Sequence, residues 1–383
     1  MASLHRPLTV NPRLAESLRN IQTSVVRDES ARLALGSLLQ SALELEFATV
    51  PTYLSAAFSL TSNREVQGVV LRTAQEEMLH MTAVANIMNA IGIAPSILAA
   101  VPTFPYHLSV LDPPLRLDLC SFSSELVRDL FMKIEAPEEP VLYKMDVDAA
   151  EKPTTIGQFY AGIIQVIESD AIPDLFENAV RDAYKQREVT PNFKSIAYLS
   201  NQDNGRYPLK PEIDFRITDK ETAVRHLAWV VDQGEGEGPF DPLTAEGIPG
   251  HYYRFESILK AKFLIKDDAA DLGYSFSGGD LPFDPAGVHA FDDNARPESY
   301  TAYPQVEDRM RRFGRQYTEL IDLLQAAFNC ARPEDAAAAK QAYDEAVDIM
   351  RRMGNSASAI IAKARASGIK AGIPFQYESP LTS

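Results

Sequence analysis

One stretch of the chain places a glutamate and a histidine three residues apart within an apolar helical pattern. Glu77 and His80 fall on one stripe of residues spaced by three and four. The other members of this stripe are Val66, Val70, Thr73, Val84, Ile87 and Ile91. Such a stripe faces a protein interior, and a buried carboxylate requires a partner, commonly a metal ion or a counter-charge. Because Glu and His at positions i and i+3 project side by side, the pair is suited to bind one ion.

A second inward carboxylate is predicted on the preceding helix. The stripe that contains Glu46 also contains Leu39, Ala42, Thr49 and Tyr53. Glu44 lies instead on the polar side of this helix, and Pro51 is expected to interrupt and kink it near Glu46. We therefore interpret Glu46, Glu77 and His80 as the metal-binding and catalytic core of a site.

Later segments offer further ligands. Glu235 is predicted at the inner edge of the end of a fourth helix, and His251 begins another helical turn. Because glycines and prolines between them let the chain double back, these two residues could meet. On the third helix Glu168 could face the interior or lie at its boundary, whereas Gln158 is better explained as the capping partner of Thr155.

A hydrogen-bonded network without metal is the alternative explanation of the same residues. Tyr53 and Tyr160 are available as donors to buried carboxylates, and an arginine could pair with one of them. Glu76 shares a side of its helix with Arg72 and is predicted to be solvated. His226 is predicted to be a core or rim histidine rather than a ligand.

The elements that must position these residues are predicted to be amphipathic helices of one bundle. The helices cover about residues 30–60, 65–91, 155–170 and 219–233, a shorter piece from His251, and two C-terminal stretches at about 306–328 and 333–366. Long loops with a few short strands are expected at 101–150, 185–218 and 264–304. Loops of this length usually cover a functional site or wrap the scaffold.

The predicted fold class is therefore all-α, a four-helix bundle with long irregular loops and two additional C-terminal helices. The predicted organisation is an N-terminal extension (1–29), the bundle with its loop insertions (30–263), a covering loop (264–304), and a C-terminal helical pair with a tail (305–383). The added helices offer a surface through which a homodimer could form.

Composition narrows the class of protein. The chain has 383 residues, of which 45% are hydrophobic and 23% charged, and its net charge of −16 disfavours nucleic acid and anionic membranes as partners. We expect no membrane span and no signal peptide. Because Cys120 and Cys330 are the only cysteines, the sequence favours a reduced, cytoplasmic protein whose metal ligands are histidines and carboxylates.

Several segments together resemble the ferritin-like domain of the iminophenylpyruvate dimer synthase family, which includes the imine-coupling enzymes of bacterial bisindole pathways such as violacein. The resemblance covers roughly residues 30–260. The segments that carry it are Glu46-Phe-Ala-Thr-Val-Pro-Thr-Tyr-Leu54, Glu77-Met-Leu-His80, Ala85-Asn-Ile-Met-Asn-Ala-Ile-Gly92, Gln233-Gly-Glu-Gly236 and His251-Tyr-Tyr-Arg-Phe255.

The resemblance implies a four-helix ferritin-like core that holds a pair of iron ions. The metal ligands that it implies are Glu46, Glu77, His80, Glu168, Glu235 and His251. A loop separates Glu235 from His251, so no second Glu-x-x-His lies within one helix, and Glu237 is a rival ligand.

Histidine and carboxylate ligands without cysteine suit iron or manganese. Our leading hypothesis is a non-haem di-iron oxidoreductase that uses O₂ or peroxide on a small, aromatic or amino-acid-derived substrate, such as an imine coupled in secondary metabolism. The alternative is a metal-binding or peroxide-scavenging protein without an organic substrate. A third hypothesis is a scaffold in which Glu46, Glu77 and His80 form only a hydrogen-bonded network.

Overall fold

The structure is a computed structural model that describes residues 8–23, 29–137, 155–169, 172–188, 214–236, 241–245, 247–270 and 273–378. These residues form a mostly helical fold, which confirms the predicted all-α class. The helices are α1 (Pro12–Thr23), α2 (Glu29–Ser59), α3 (Arg64–Ala90), α4 (Ile97–Ala100), α5 (Ser124–Leu126), α6 (Met132–Ile134), α7 (Ile156–Glu168), α8 (Lys220–Glu235), α9 (His251–Lys260), α10 (Pro304–Phe328) and α11 (Ala336–Ala366).

Four of these helices form the bundle. The long helices α2 and α3 pack along each other, α3 contacts α8, α8 contacts α7, and α7 returns to α2. This ring encloses the faces that carry Glu46, Glu77 and His80, all of which are buried. The predicted inward orientation of these three side chains is therefore confirmed.

Helix α2 is unusually apolar, and it continues without a break through Pro51, contrary to the predicted interruption. By length and composition alone it would be long enough to cross a membrane, and it is the one such helix among the described residues. However, 67% of its most apolar window is buried inside the protein. Packing against α3, α7 and the C-terminal helix α11 accounts for that composition.

Side-chain caps fix the starts of the other two bundle helices. Thr155 and Gln158 form the predicted capping box at the start of α7, and Asp219 and Thr222 form another at α8. Helix α8 ends at Gly236, whose φ is +89° and where an added Cβ would lie 2.5 Å from the carbonyl oxygen of Asp241. Glycine is required at this position because other residues disfavour this φ and have no space there.

The predicted loops contain short elements. A two-stranded antiparallel hairpin pairs β1 (Tyr106–Leu108) with β2 (Leu115–Leu117), and a second pairs β3 (Ile265–Lys266) with β4 (Tyr274–Ser275). Between them in the chain, α5 passes through a π-helical segment (Val127–Phe131) into α6. This segment packs against α9, which in turn contacts α3 and α8.

The long C-terminal helices α10 and α11 pack along each other and cover the bundle from outside. Helix α10 contacts α3 and α4, and α11 contacts α2. As a result, α3 is covered on nearly all sides, and most of its residues from Val66 to Ala90 are buried. The domain boundaries at 29, 263 and 304 stay a prediction.

Candidate metal centre

The carboxylate of Glu77 lies between two imidazoles inside the bundle. Its Oε2 is 3.3 Å from Nδ1 of His80, which is one turn along α3, and its Oε1 is 2.8 Å from Nδ1 of His251, at the start of α9. His80 and His251 lie with their ring centroids 5.6 Å apart and their planes 23° from parallel. Each oxygen of one carboxylate thus faces a different histidine.

Two groups of possible ligands share this carboxylate. The first consists of Glu46, Glu77 and His80, with Nδ1 of His80 also 3.3 Å from Oε2 of Glu46. The second consists of Glu77, Glu135 and His251, with Nδ1 of His251 3.4 Å from Oε2 of Glu135. In each group the ligand atoms lie within 4.8 Å of one another. The geometry therefore offers two neighbouring cation positions bridged by Glu77.

The outer nitrogens of the histidines fix their orientation. Nε2 of His80 lies 3.1 Å from the amide oxygen of Gln233 on α8, and Nε2 of His251 lies 3.0 Å from Oε2 of Glu76. Both partners accept hydrogen bonds, so each Nε2 is the donor. When the ring is neutral, as it must be to bind a metal ion, its lone pair therefore lies on Nδ1. Both Nδ1 atoms therefore point toward the shared carboxylate, as ligating nitrogens do when an outer acceptor orients the ring.

Tyrosines hold the other two carboxylates. The hydroxyl of Tyr160 on α7 donates to Glu46, and the hydroxyl of Tyr53 on α2 donates to Glu135 at 2.5 Å. Both tyrosines are buried, and burial together with the facing carboxylates raises the pKa of each phenol well above its usual value. They therefore remain neutral donors. These are the tyrosine contacts expected for the network hypothesis, and they orient carboxylate ligands equally well.

Glu76 is buried, and the prediction that it would be solvated is wrong. Its carboxylate accepts from Nε of Arg72 at 3.2 Å and from Nη1 of Arg254, and it contacts His251. These charges outweigh burial and hold the pKa of Glu76 well below its usual range. The error has a physical cause: Arg254 belongs to α9, whose position over this flank of α3 cannot be inferred from the α3 sequence.

The carboxylates and histidines of the two ligand groups shift one another's pKa values. Burial, reinforced by the charge of Glu77, raises the pKa of Glu46 to about 7. Burial opposes protonation of His80, but Glu77 and Glu46 outweigh it and raise its pKa to about 10. The pKa of His251 is likewise raised above its usual value, chiefly by Glu135 against the effect of burial, and the pKa of Glu77 is lowered by the two histidines, also against burial. Without a metal, protons on the histidines balance the carboxylates.

The residues present fit divalent cations. The carboxylates of Glu46, Glu77 and Glu135 converge with the imidazoles of His80 and His251. Glu76 is not considered a ligand, because two arginines neutralise its charge. Within the described residues, Nδ1 of His251 has no aligned hydrogen-bond partner although it lies 2.8 Å from a Glu77 oxygen. A buried nitrogen that faces carboxylates without a formed hydrogen bond is suitably placed for a common ion. The donor types suit iron or manganese.

Of the other predicted ligands, Glu168 is not brought to this cluster. Glu168 is the last residue of α7 and is exposed, and its backbone carbonyl accepts from Lys220 at 2.9 Å. Because α7 ends at this residue, the side chain of Glu168 is exposed to solvent. Glu235 ends α8, but its side chain lies outside the described part of the structure, as does the whole of Glu237. His226 is buried as a core histidine, as predicted.

Glu135 is the candidate ligand that the sequence reasoning missed. It follows α6, inside the segment 101–150 that was predicted to be a loop, and its side chain is 9% exposed. The signal that could have found it is the apolar spacing of Leu126, Val127, Leu130, Phe131 and Ile134 just before it. That spacing indicates a short buried helix with a carboxylate at its end.

A cavity adjoins the cluster. It is lined by Glu46, Glu77, His80, Glu135 and His251 and by apolar side chains of α2, α7 and α8. Its volume is about 70 Å³, which accommodates several water molecules or a dioxygen-sized molecule beside the carboxylates.

A four-helix bundle with carboxylates and Glu-x-x-His ligands projecting inward from several segments is the architecture of carboxylate-bridged di-metal proteins. The family model described as Ferritin-like matches residues 39–260, more than half of the sequence, and the chain belongs to this family.

Among solved structures, the chain is similar to a ferritin-like protein from Caulobacter vibrioides. The two share 17% sequence identity with a TM-score of 0.50, and the match covers 90% of this chain and 97% of the other. This likeness concerns the fold alone. No curated protein matches the sequence.

Proposed function

We propose that this protein is a non-haem di-iron oxidoreductase that uses O₂ or peroxide on a small organic substrate. The observation that carries the proposal is the position of Glu77, whose two oxygens face the ligating nitrogens of two different histidines at 3.3 and 2.8 Å. A carboxylate in this position is suited to bridge two metal ions. Membership of the Ferritin-like family supports this interpretation.

In this proposal Glu46 and His80 would hold one iron ion, Glu135 and His251 would hold the other, and Glu77 would contribute to both. Iron bound there would supply the electrons that reduce O₂ or peroxide. The chain's own groups prepare the site: the acceptors at each Nε2 fix the tautomers of both histidines. In the metal-free site the pKa of Glu46 is raised to about 7, so a metal ion that binds there at neutral pH would displace the proton that this carboxyl group partly holds.

We propose further that the substrate belongs to the class implied by the resemblance to iminophenylpyruvate dimer synthases, an imine of an aromatic 2-oxo acid. The substrate class rests on that resemblance, and apolar residues that include Leu45, Ile134, Ile156 and Val230 line the cavity wall beside the cluster. In such a coupling, two imine molecules lose two electrons and two protons as a carbon–carbon bond forms. Hydrogen peroxide takes up these electrons and protons and becomes two water molecules.

Metal analysis tests the metal centre. Protein purified without added iron is expected to contain about two iron ions per chain, and Glu77→Gln should lose both because it removes the shared ligand. Glu135→Gln should retain about one. Glu168→Gln is the matched control, because this carboxylate also lies on a bundle helix but is exposed, and it should retain both ions. Unchanged iron content in Glu77→Gln would support the hydrogen-bonded network instead.

A second candidate function is peroxide scavenging without an organic substrate, which the small cavity of about 70 Å³ favours. The discriminating assay follows peroxide consumption by iron-loaded protein with and without the imine of phenylpyruvate. Consumption that requires the imine supports the oxidoreductase, whereas the same rate without it supports scavenging. If this alternative takes the form of metal storage, sizing of the native protein tests it as well, since storage requires a closed shell of many subunits.

A further inference from the structure

The two candidate cation positions have matching sets of ligands. Both include Glu77; the Glu46 position adds Glu46 and His80, and the Glu135 position adds Glu135 and His251. Each position thus has one carboxylate of its own, one histidine and a share of the common carboxylate. Any difference between the two must therefore come from the groups behind these ligands.

The groups behind His80 are neutral. Its Nε2 lies 3.1 Å from the amide oxygen of Gln233. Its ring meets Trp229 nearly at right angles, with the centroids 5.2 Å apart. Gln233 and Trp229 lie one turn apart on α8, and both are buried. An amide and an indole add no net charge behind the Glu46 position.

The groups behind His251 carry an excess of positive charge. Its Nε2 lies 3.0 Å from Oε2 of Glu76, and Glu76 in turn pairs with Arg72 at 3.2 Å and with Nη1 of Arg254. None of the side chains of Glu76, Arg72 and Arg254 is more than 5% exposed. Nη2 of Arg254 has no hydrogen-bond partner within the part of the chain that the structure describes. Two buried guanidinium groups therefore face one carboxylate, which offsets the charge of only one of them.

This excess charge opposes a cation at the Glu135 position. Oε2 of Glu76 is in contact with both Nε2 of His251 and Nη1 of Arg254, so the guanidinium and the imidazole are linked through one oxygen atom. At an effective dielectric constant of about 20, a unit charge roughly 10 Å from a divalent ion changes the affinity for that ion by more than about tenfold. Burial limits the screening of this charge by water and salt.

We propose that the two positions are filled in a fixed order, the Glu46 position first and the Glu135 position second, and that Gln233 and Arg254 set this order from behind the histidines. The proposal rests on the metal centre proposed above. Neither residue is a ligand, and each acts through a histidine, Gln233 directly and Arg254 through Glu76. When metal is scarce, the protein would hold single ions at the Glu46 position, and the pair would be completed only at higher metal concentration.

Titration of the metal-free, full-length protein with Mn²⁺, followed by electron paramagnetic resonance of free and bound ions, tests the order. The wild type should bind two ions in steps whose dissociation constants differ by at least about tenfold. Glu46→Gln should abolish the tighter step, whereas Glu135→Gln should retain it and lose the weaker step. Two steps of equal intrinsic affinity, or retention of the tighter step in Glu46→Gln, would overturn the order. An absence of Mn²⁺ binding would instead overturn the metal centre itself.

Two further variants separate the effect of charge from that of structure. Gln233→Glu gives His80 a charged acceptor of the same length and should tighten the first step about tenfold. Arg254→Met should tighten the second step about tenfold, which is the opposite of what a loosened fold would cause. Arg225→Met is the matched control, because Arg225 is 59% exposed on α8, and it should change neither step. An unchanged first step in Gln233→Glu, or a second step that is unchanged or weaker in Arg254→Met, would overturn the roles of these residues.

Discussion

Replacement of Arg254 by methionine tests how the metal centre is supported. Arg254 is 1% exposed, and it donates to Glu76 through Nη1 and to the carbonyl of Pro249 through Nε at 2.6 Å. Methionine retains much of the apolar stem but removes the charge. Glu76, also 1% exposed, would then keep Arg72 and His251 as its remaining cationic neighbours.

The expected loss of stability follows from this burial. Removing one partner of a buried ion pair typically costs about 3–5 kcal/mol, and the remaining contact of Glu76 with Arg72 places Arg254→Met near the lower value. Glu76→Gln should cost a similar amount, because it leaves a buried guanidinium facing an amide. The double variant should be less destabilised than the sum of the two, with a coupling of about 2 kcal/mol.

Urea unfolding of the metal-free protein, followed by circular dichroism and tryptophan fluorescence, measures these differences. The matched control is the exposed pair Glu221 and Arg225 on α8, at 2.9 Å with side chains 84% and 59% exposed. The same cycle there should give a coupling below about 0.5 kcal/mol. If the changes in Arg254 and Glu76 cost less than about 1 kcal/mol each and were additive, the account of a buried, mutually dependent pair would be wrong.

Three further outcomes are expected. Because the pKa of His80 is raised to about 10, its proton must leave when Mn²⁺ binds at pH 7.5. Binding should therefore release protons and become tighter as the pH rises toward 10. Calorimetric titration in buffers of different ionisation enthalpy measures the proton release, and the same binding heat in every buffer would contradict it. Tyr160→Phe should weaken Mn²⁺ binding about 10- to 100-fold, because Glu46 loses its orienting donor, and an unchanged affinity would exclude that role. Gly236→Ala should lower Tm, since φ is +89° and the new Cβ would meet the Asp241 carbonyl at 2.5 Å; a Tm equal to the wild type would show that the turn relaxes.

The parts of the site that could be predicted from sequence are those set by a single helix. Glu46, Glu77 and His80 share apolar stripes within α2 and α3, and helical periodicity alone turns them inward. The same reasoning correctly placed Gln158 in a capping box, because that contact is local. Local pattern was sufficient for these residues and for the bounds of the bundle helices to within a few positions.

Other positions depend on contacts between distant segments. Glu135 reaches the cluster because the π-helical segment packs against α9, and no periodicity in its own neighbourhood specifies that contact. Glu76 was misplaced for the same reason, since its counter-charge Arg254 lies 178 residues away. The expectation for Glu168 came from its helical position and from the resemblance to a family pattern, whereas in this chain α7 supplies Tyr160 to the cluster and ends at Glu168.

The π-helical segment Val127–Phe131 sets the rotational position of the residues that follow it. One extra residue in a helical turn rotates everything downstream by roughly 100° about the axis. Glu135 comes four residues after Phe131, so a one-residue deletion in this segment would turn its carboxylate away from His251. A candidate ligand of the second cation position thus depends on the helical phase of a segment that lies outside α2, α3, α7 and α8.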